Sequence, residues 1–469
     1  MSADVKTRIE QGDLRFLDGL VLLGTIASQR WFGGKSRDVL DARVLDAGVT
    51  PGGTGGPILA FAVVEVRYGL QPHDLYHLPL GFRPVSDAWA ESVIAETDGW
   101  AAYDAIVDPE LARRIVELIR TDTTIDLGEA SIVCCGLGDL PEEIESMRPM
   151  GAEQSNSSVV LDEALALKLY RRIEPGMNPE LEVLRFLTER GFEHIAALRG
   201  HISYQGRPLD ATLAIVQDFI PSRGDGWELA IETIGSDPGW LPEHASRLGA
   251  VTAAMHNALA SDAADPHFAP EEPSTEALAL LSASIDEEIE AVFATLPDVE
   301  GVQPVLGRGD AVRDRLRQLT HIGQVGKVIR HHGDYHLGQV LWTKDEDWLV
   351  LDFEGEPARP VAERRLKRSP LRDVAGMLRS FAYAASASVI QHGAEPPGDW
   401  EERCRDEFLA GYLAAVDPVL LPPGQQAIEK LLTVFELEKA VYELRYELGN
   451  RPDWVSIPVA GILRMLEDE

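Results

Sequence analysis

Apolar positions follow two rhythms along the chain. Up to about residue 220 they come mostly as short, dense runs. Residues 58–68, 74–79, 131–135, 159–161, 164–170, 198–201 and 213–219 read as strands, and the turn-rich stretch 50–57 precedes the first of them. Residues 13–30 and 87–120 have helical character, and Pro179 opens a helix running to about Arg190. From Trp240 the spacing is mostly helical, over 247–260, 275–295, 370–387, 400–415 and 425–448. Two short strands at 326–331 and 348–353 flank a polar loop. The expected architecture is α+β, a small mixed N-terminal lobe followed by a mostly helical C-terminal lobe. Its expected divisions are a cap subdomain over 1–85, an intermediate subdomain over 86–220 and the helical lobe over 221–469.

Composition narrows the function. The 469 residues are 45% hydrophobic and 26% charged, enough for a large core. The apolar runs fall short of the roughly 20 residues a membrane helix takes, and no apolar stretch follows Lys6 and Arg8 as in a secretory signal. The formal net charge of -34 argues against nucleic acid and anionic membranes as partners. Three cysteines, Cys134, Cys135 and Cys404, fit a reducing cytoplasmic setting, and no CxxC or HExxH suggests zinc.

The chemistry concentrates in His331-His332-Gly333-Asp334-Tyr335-His336-Leu337-Gly338-Gln339, followed by Leu351-Asp352-Phe353-Glu354. Asp334 precedes Gln339 by five residues and Asp352 by 18. Kinase catalytic loops show the same five-residue step before a metal-binding Asp. A carboxylate orients an acceptor hydroxyl and takes its proton, while an amide oxygen and a second carboxylate suit magnesium. Lys168 stands inside the apolar strand Ala166-Leu167-Lys168-Leu169-Tyr170, where it either guards a sheet edge or meets phosphate oxygens; the reading favours phosphate. Its carboxylate partner is Glu180 or Glu182, with a lean to Glu182. The small polar tip with Ser155, Asn156 and Ser157 would let backbone amides approach a triphosphate.

Other residues have two readings each. His332 and His336 touch substrate or metal, or hold the loop by hydrogen bonds. Glu354 assists magnesium or caps the loop. His256 contacts the catalytic loop, and Asp373 caps its helix or anchors that loop. The basic run 364–368 reads as a solvated loop. Tyr442, Glu443, Arg445, Tyr446, Asn450 and Trp454 are either a sugar platform or the packing of the last long helix.

The segments HGDYHLGQ, LDFEGEPARP and SPLRDVAGMLRSFAYAA resemble maltokinases, members of the aminoglycoside phosphotransferase-like, protein kinase-like superfamily. QRWFGGKSR, EQSNSSVVL, NPELEVLRFL, QDFIPSRGDGWE and YELRYELGNRPDW extend the resemblance along nearly the whole chain. It implies a bilobal kinase-like fold, ATP and Mg2+ as cofactors, and phosphorylation of maltose at its anomeric hydroxyl. By the same resemblance Asp334 is the catalytic base, Gln339 and Asp352 hold magnesium, and Lys168 holds phosphates. Gln217 to Ile220, with Phe219, would present backbone groups to adenine. Gln339 stands where the superfamily usually has Asn. Related glucosamine kinases share the scaffold, so another sugar is a rival acceptor. A silent partner module of a trehalose-converting enzyme is a rival of another kind.

Overall fold

The computed structural model describes residues 5–467 apart from 36, 51–55, 70–72, 87–92, 152–155, 208 and 320–324. Ser155 lies outside the described residues. The chain forms two compact units, one running to Arg185 with Ala196–Pro221 added, the other made of Phe186–Ile195 and everything from Ser222.

The first unit holds two antiparallel sheets. Strands β1 (Val39–Thr50), β2 (Ile58–Tyr68), β3 (Asp74–Pro84), β4 (Val93–Thr97) and β5 (Trp100–Asp104) form one, in the order β1-β2-β3-β5-β4. The other contains β6 (Thr124–Asp126), β7 (Ser131–Gly136), β8 (Met147–Pro149), β9 (Asn156–Leu161), β10 (Leu165–Tyr170), β12 (Leu198–Gln205) and β13 (Ala211–Asp218). The two-residue strand β11 (Arg172–Ile173) pairs with β3. An antiparallel sheet often keeps one face wet and alternates. Strand β2 does not, because both its faces are covered. Leu59, Phe61 and Val63 join a core with β9, β10 and β13, whereas Ala60, Ala62 and Val64 join one with Val5, Leu22 and Ile26. That double burial is why 58–68 reads as an unbroken apolar run.

The expected helix over 87–120 is corrected: the helix is Pro109–Arg120, and β4 and β5 form a hairpin before it. Asp98 and Gly99, both at positive φ, make its two-residue turn, and Asp-Gly suits such a turn. The helix then starts with Asp108, whose carboxylate caps the Glu110 amide, and Pro109 in the first turn.

The second unit is mostly helical. A small sheet of β14 (Ser222–Asp225), β15 (Val340–Thr343) and β16 (Trp348–Val350) carries the polar loop. The expected strand at 326–331 is reduced to isolated bridges, Val328 with Glu271 and Ile329 with Arg368. The helices that matter below are Trp240–Leu259, Leu371–His392, Trp400–Ala415 and Gln425–Asn450. No helix among the described residues is long and apolar enough to cross a membrane.

Candidate active site

The loop around Asp334 is fixed from behind. Asp373, in the first turn of Leu371–His392, accepts from the amides of His332 (2.8 Å) and Gly333 (3.0 Å) and contacts His256 Nε2 at 3.1 Å. Burial alone would raise the Asp373 pKa; the rings of His331, His256 and His332 overturn this and hold it below the usual carboxylate range. His332 Nε2 donates to the Leu351 carbonyl at 2.7 Å, and its Nδ1 accepts the Asp334 amide at 3.3 Å. Tyr335 is buried, with its hydroxyl 2.9 Å from Thr252. Gly333 stands at φ +85°, a conformation other residues rarely adopt. Gly376 lets the helix touch the loop, since a Cβ there would sit 2.6 Å from the Tyr335 carbonyl oxygen.

Asp334 itself is half-buried and turned to a pocket. Its Oδ1 lies 3.5 Å from Lys439 Nζ, and His336 Nε2 is 4.0 Å from its Oδ2. His336 is also occupied locally, its Nδ1 accepting the Gly338 amide. Gln339 donates from Nε2 to Asp352 Oδ2 at 3.2 Å. Asp352 stands at φ +58°, a left-handed conformation held at the end of the loop. Gln339 carries an amide oxygen and Asp352 a carboxylate, the oxygen donors a hard divalent cation takes, so the chemistry of the pair fits magnesium.

Three acids of the pocket beside Asp334 are already matched to arginines. Glu356 bonds Arg359 at 2.9 Å, Glu438 holds Arg372 in a two-pronged pair at 2.8 and 3.0 Å, and Glu288 meets Arg445 at 3.4 Å. Tyr442 lines it beside Glu356. Lys439 was absent from the sequence expectations. Burial alone would lower its pKa, but Asp334, Glu443 and Glu356 raise it above the ordinary lysine value, so it is a cation at neutral pH. The signal that could have found it is its place three residues before Tyr442, on one helical face.

In the first unit Lys168 sits in the middle of its sheet. Leu165, Leu167 and Leu169 point into the core, so Lys168 and Tyr170 share the opposite face. The carboxylate against Lys168 is Glu180, at 2.8 Å, where the sequence leaned to Glu182. Glu180 also accepts from the Tyr170 hydroxyl at 2.6 Å. At about 100° per residue, two positions on a helix diverge by about 200°, so the first glutamate of this turn faces the lysine. Asn178 caps the helix by accepting the Glu180 amide.

Cross-strand pairing sorts the hairpin tip. Asn156 lies opposite Tyr170 and shares the Lys168 face, and Gln217, opposite Ala166, does too. Ser157 lies opposite Leu169, on the other face, where its hydroxyl accepts from Arg171 at 2.9 Å. Its side chain is therefore structural. Phe219 spends its amide on the Ala164 carbonyl, so that group is not available to a base.

Two of the expected sugar contacts are corrected. Glu443 is buried in a pair with Arg379 at 2.7 Å. Trp454 is buried against Trp227, Tyr383 and Ile457, with Arg451 over its ring. Both face the helical core because their positions fall on the inward stripe of the packing. Arg445 reaches the pocket rim through Glu288, 5.5 Å from the Tyr442 ring, while Tyr446 is exposed, with Arg451 over its ring.

A kinase-like fold, a carboxylate aimed into a polar pocket and an amide–carboxylate pair beside it define a phosphotransferase acting on an alcohol group. The chain belongs to the phosphotransferase enzyme family, whose model matches residues 146–408, more than half its length. Residues 26–108 match the maltokinase N-terminal cap domain. Relatives include a glucosamine kinase of Streptacidiphilus jiangxiensis, 26% identical over 67% of this chain and 72% of its own. Another, from Mycolicibacterium smegmatis, is 26% identical over 68% of this chain and 80% of its own. A solved glucosamine kinase with glucosamine, ADP and inorganic phosphate covers 94% of this chain and 98% of its own, at TM-score 0.68 and 20% identity. A second crystal form gives TM-score 0.70 at 21% identity, over 95% and 97%. At such identity the structures share the fold.

Proposed function

We propose that this phosphotransferase uses ATP to phosphorylate a neutral sugar, maltose, at its anomeric hydroxyl, giving maltose 1-phosphate and ADP. Asp334 orients the acceptor hydroxyl and takes its proton. Lys168, steadied by Glu180, meets phosphate oxygens. Gln339 and Asp352 would hold magnesium, which when bound neutralises charge on the phosphates.

The observation that carries the neutral acceptor is the charge around Asp334. Lys439 places a cation 3.5 Å from the base, and Glu288, Glu356 and Glu438 already face arginines. An ammonium-bearing sugar wants an unspent carboxylate and no nearby cation. A neutral polyol instead takes hydrogen bonds from the arginines and gives them to the carboxylates. The match to the maltokinase cap supports the same reading. Glucosamine is the second reading, favoured by the names of the curated relatives. Retention of Asp334, Gln339, Asp352 and Lys168 favours an enzyme over a silent partner of a trehalose-converting enzyme.

The test is ADP release from MgATP with maltose, glucose, glucosamine, trehalose and an aminoglycoside. Selective turnover of maltose is expected. Selective turnover of glucosamine overturns the neutral-acceptor reading and leaves the phosphotransferase in place.

A further inference from the structure

The same pocket holds cationic donors that neither the acceptor reading nor the fold uses. Arg368 lines it, and no described residue gives its guanidinium a hydrogen bond or ion pair; only its backbone is engaged, with Ile329. Burial and the neighbouring Arg372 and Arg359 depress its pKa, the mark of a cation held among cations. Glu438 and Glu363 stand near but are directed elsewhere, Glu438 to Arg372 and Glu363 towards Arg359 at 3.9 Å. Two more groups of the pocket are buried without a hydrogen-bond partner, Arg372 Nε and His331 Nδ1. The pocket encloses about 100 Å³ and opens to solvent.

We infer that Arg368, with Arg372 and His331 behind it, forms an anion subsite of this pocket that takes a phosphate group. A phosphate brings several acceptor oxygens to a planar guanidinium fork, the geometry that arginine binds best. Its negative charge relieves the repulsion among Arg359, Arg368 and Arg372. A phosphorylated sugar seated there occupies the acceptor's place and competes with it, so the product of phosphoryl transfer, or free phosphate, restrains the enzyme. The competition part rests on reading the pocket as the acceptor site; the anion subsite itself does not.

The experiment uses the full chain with whichever neutral sugar is turned over, varying the sugar and MgATP in turn. Inhibition by inorganic phosphate, glucose 1-phosphate and methyl glucoside is compared. Glucose 1-phosphate is expected to compete with the acceptor and to inhibit about tenfold more strongly than methyl glucoside, the value of one charge-assisted hydrogen bond. Arg368→Met should bring that ratio to within about twofold, and Arg368→Lys should keep part of it. The ratio is read rather than the rate, so a general loss of activity does not move it. Equal inhibition by inorganic phosphate identifies free phosphate as a sufficient ligand; a much stronger ester identifies the sugar phosphate. Inhibition competitive with ATP alone, or a ratio unchanged in Arg368→Met, overturns the subsite. Should no sugar be turned over, calorimetric titration of phosphate into the native chain and Arg368→Met decides the subsite independently of the acceptor: equal binding to both sinks it.

Discussion

Two polar stretches of the helical unit reach the same pocket and keep their charges in opposite ways. The loop 331–339 is anchored through its backbone: Asp373 takes two of its amides, His332 takes a third, and the Asp334 carboxylate is left to face the pocket. The helix Gln425–Asn450 is anchored through its side chains. Its inward stripe carries Glu436, Glu443 and Glu447, paired with Arg405, Arg379 and Arg451. Its pocket face carries Phe435, Glu438, Lys439 and Tyr442. A carboxylate committed to one buried partner is a structural part. One whose backbone is held while its oxygens face open space is free to react.

That contrast breaks most sharply at Asp334. Asp334→Asn should lower turnover by about 10²- to 10⁴-fold, the usual span of a general base, with little change in melting temperature. A variant that keeps near-native turnover would return Asp334 to the class of held, structural carboxylates.

The opposite behaviour is expected at Glu443. Glu443→Ala leaves Arg379 buried and unpaired, which costs about 3–5 kcal/mol, and joint replacement by Arg379→Met with Glu443→Leu should recover most of it. Denaturant unfolding of the three variants measures this. A stable Glu443→Ala protein with a raised acceptor KM would restore the sugar-binding role.

The loop was legible because its chemistry is local. Asp334, Gln339 and Asp352 are fixed relative to one another by a short loop and hairpin, so spacing alone carries the site. Asp373 was legible as one of two options, and its contact with His256 follows from the same loop being pinned. The helix was not legible in the same way. Glu443 and Lys439 are one turn apart and equally polar on paper; which one faces arginine and which one faces the pocket is decided by the helices packed around them. The choice between Glu180 and Glu182 failed for a similar reason, since the direction of a helical side chain depends on how the helix sits on its sheet. The hairpin at Asp98-Gly99 was a missed local signal rather than a tertiary effect.

Acid should lower stability without needing any substitution. Burial holds His77 at about 3 and His201 and His331 at about 4, all below the ordinary histidine value. The unfolded chain then binds more protons than the folded one below about pH 6.5, so stability falls as pH drops from there through about 4. Each histidine is worth on the order of 2 kcal/mol by pH 4.5. Asp373, also depressed, adds a loss of the same sign lower still. Melting temperatures at pH 7, 5.5 and 4.5 should decline steadily; a flat profile would mean these rings are charged or solvated in the folded protein.

On the pocket face, Lys439→Met should cost the neutral acceptor about tenfold in kcat/KM, the value of one hydrogen bond from a charged donor. It should also narrow the preference over glucosamine, because the cation beside Asp334 is gone. An unchanged preference would leave Lys439 as a partner of Asp334 and not a reader of the acceptor.

The smallest effect is expected one turn further along, at Tyr446. It continues the spacing of Lys439 and Tyr442, yet it is 45% exposed and its ring meets Arg451 rather than the pocket lining. Tyr446→Ala should leave stability within about 0.5 kcal/mol, as surface substitutions do. The acceptor KM should stay within about twofold. A glucose-sized acceptor and a disaccharide separate the outcomes, because a longer acceptor is the one that could reach this turn. If maltose alone loses affinity, the acceptor extends past Tyr442 and the pocket face of the helix is longer than its enclosed part. If neither sugar changes, the acceptor ends at Tyr442, and discrimination rests on the charges gathered around Asp334.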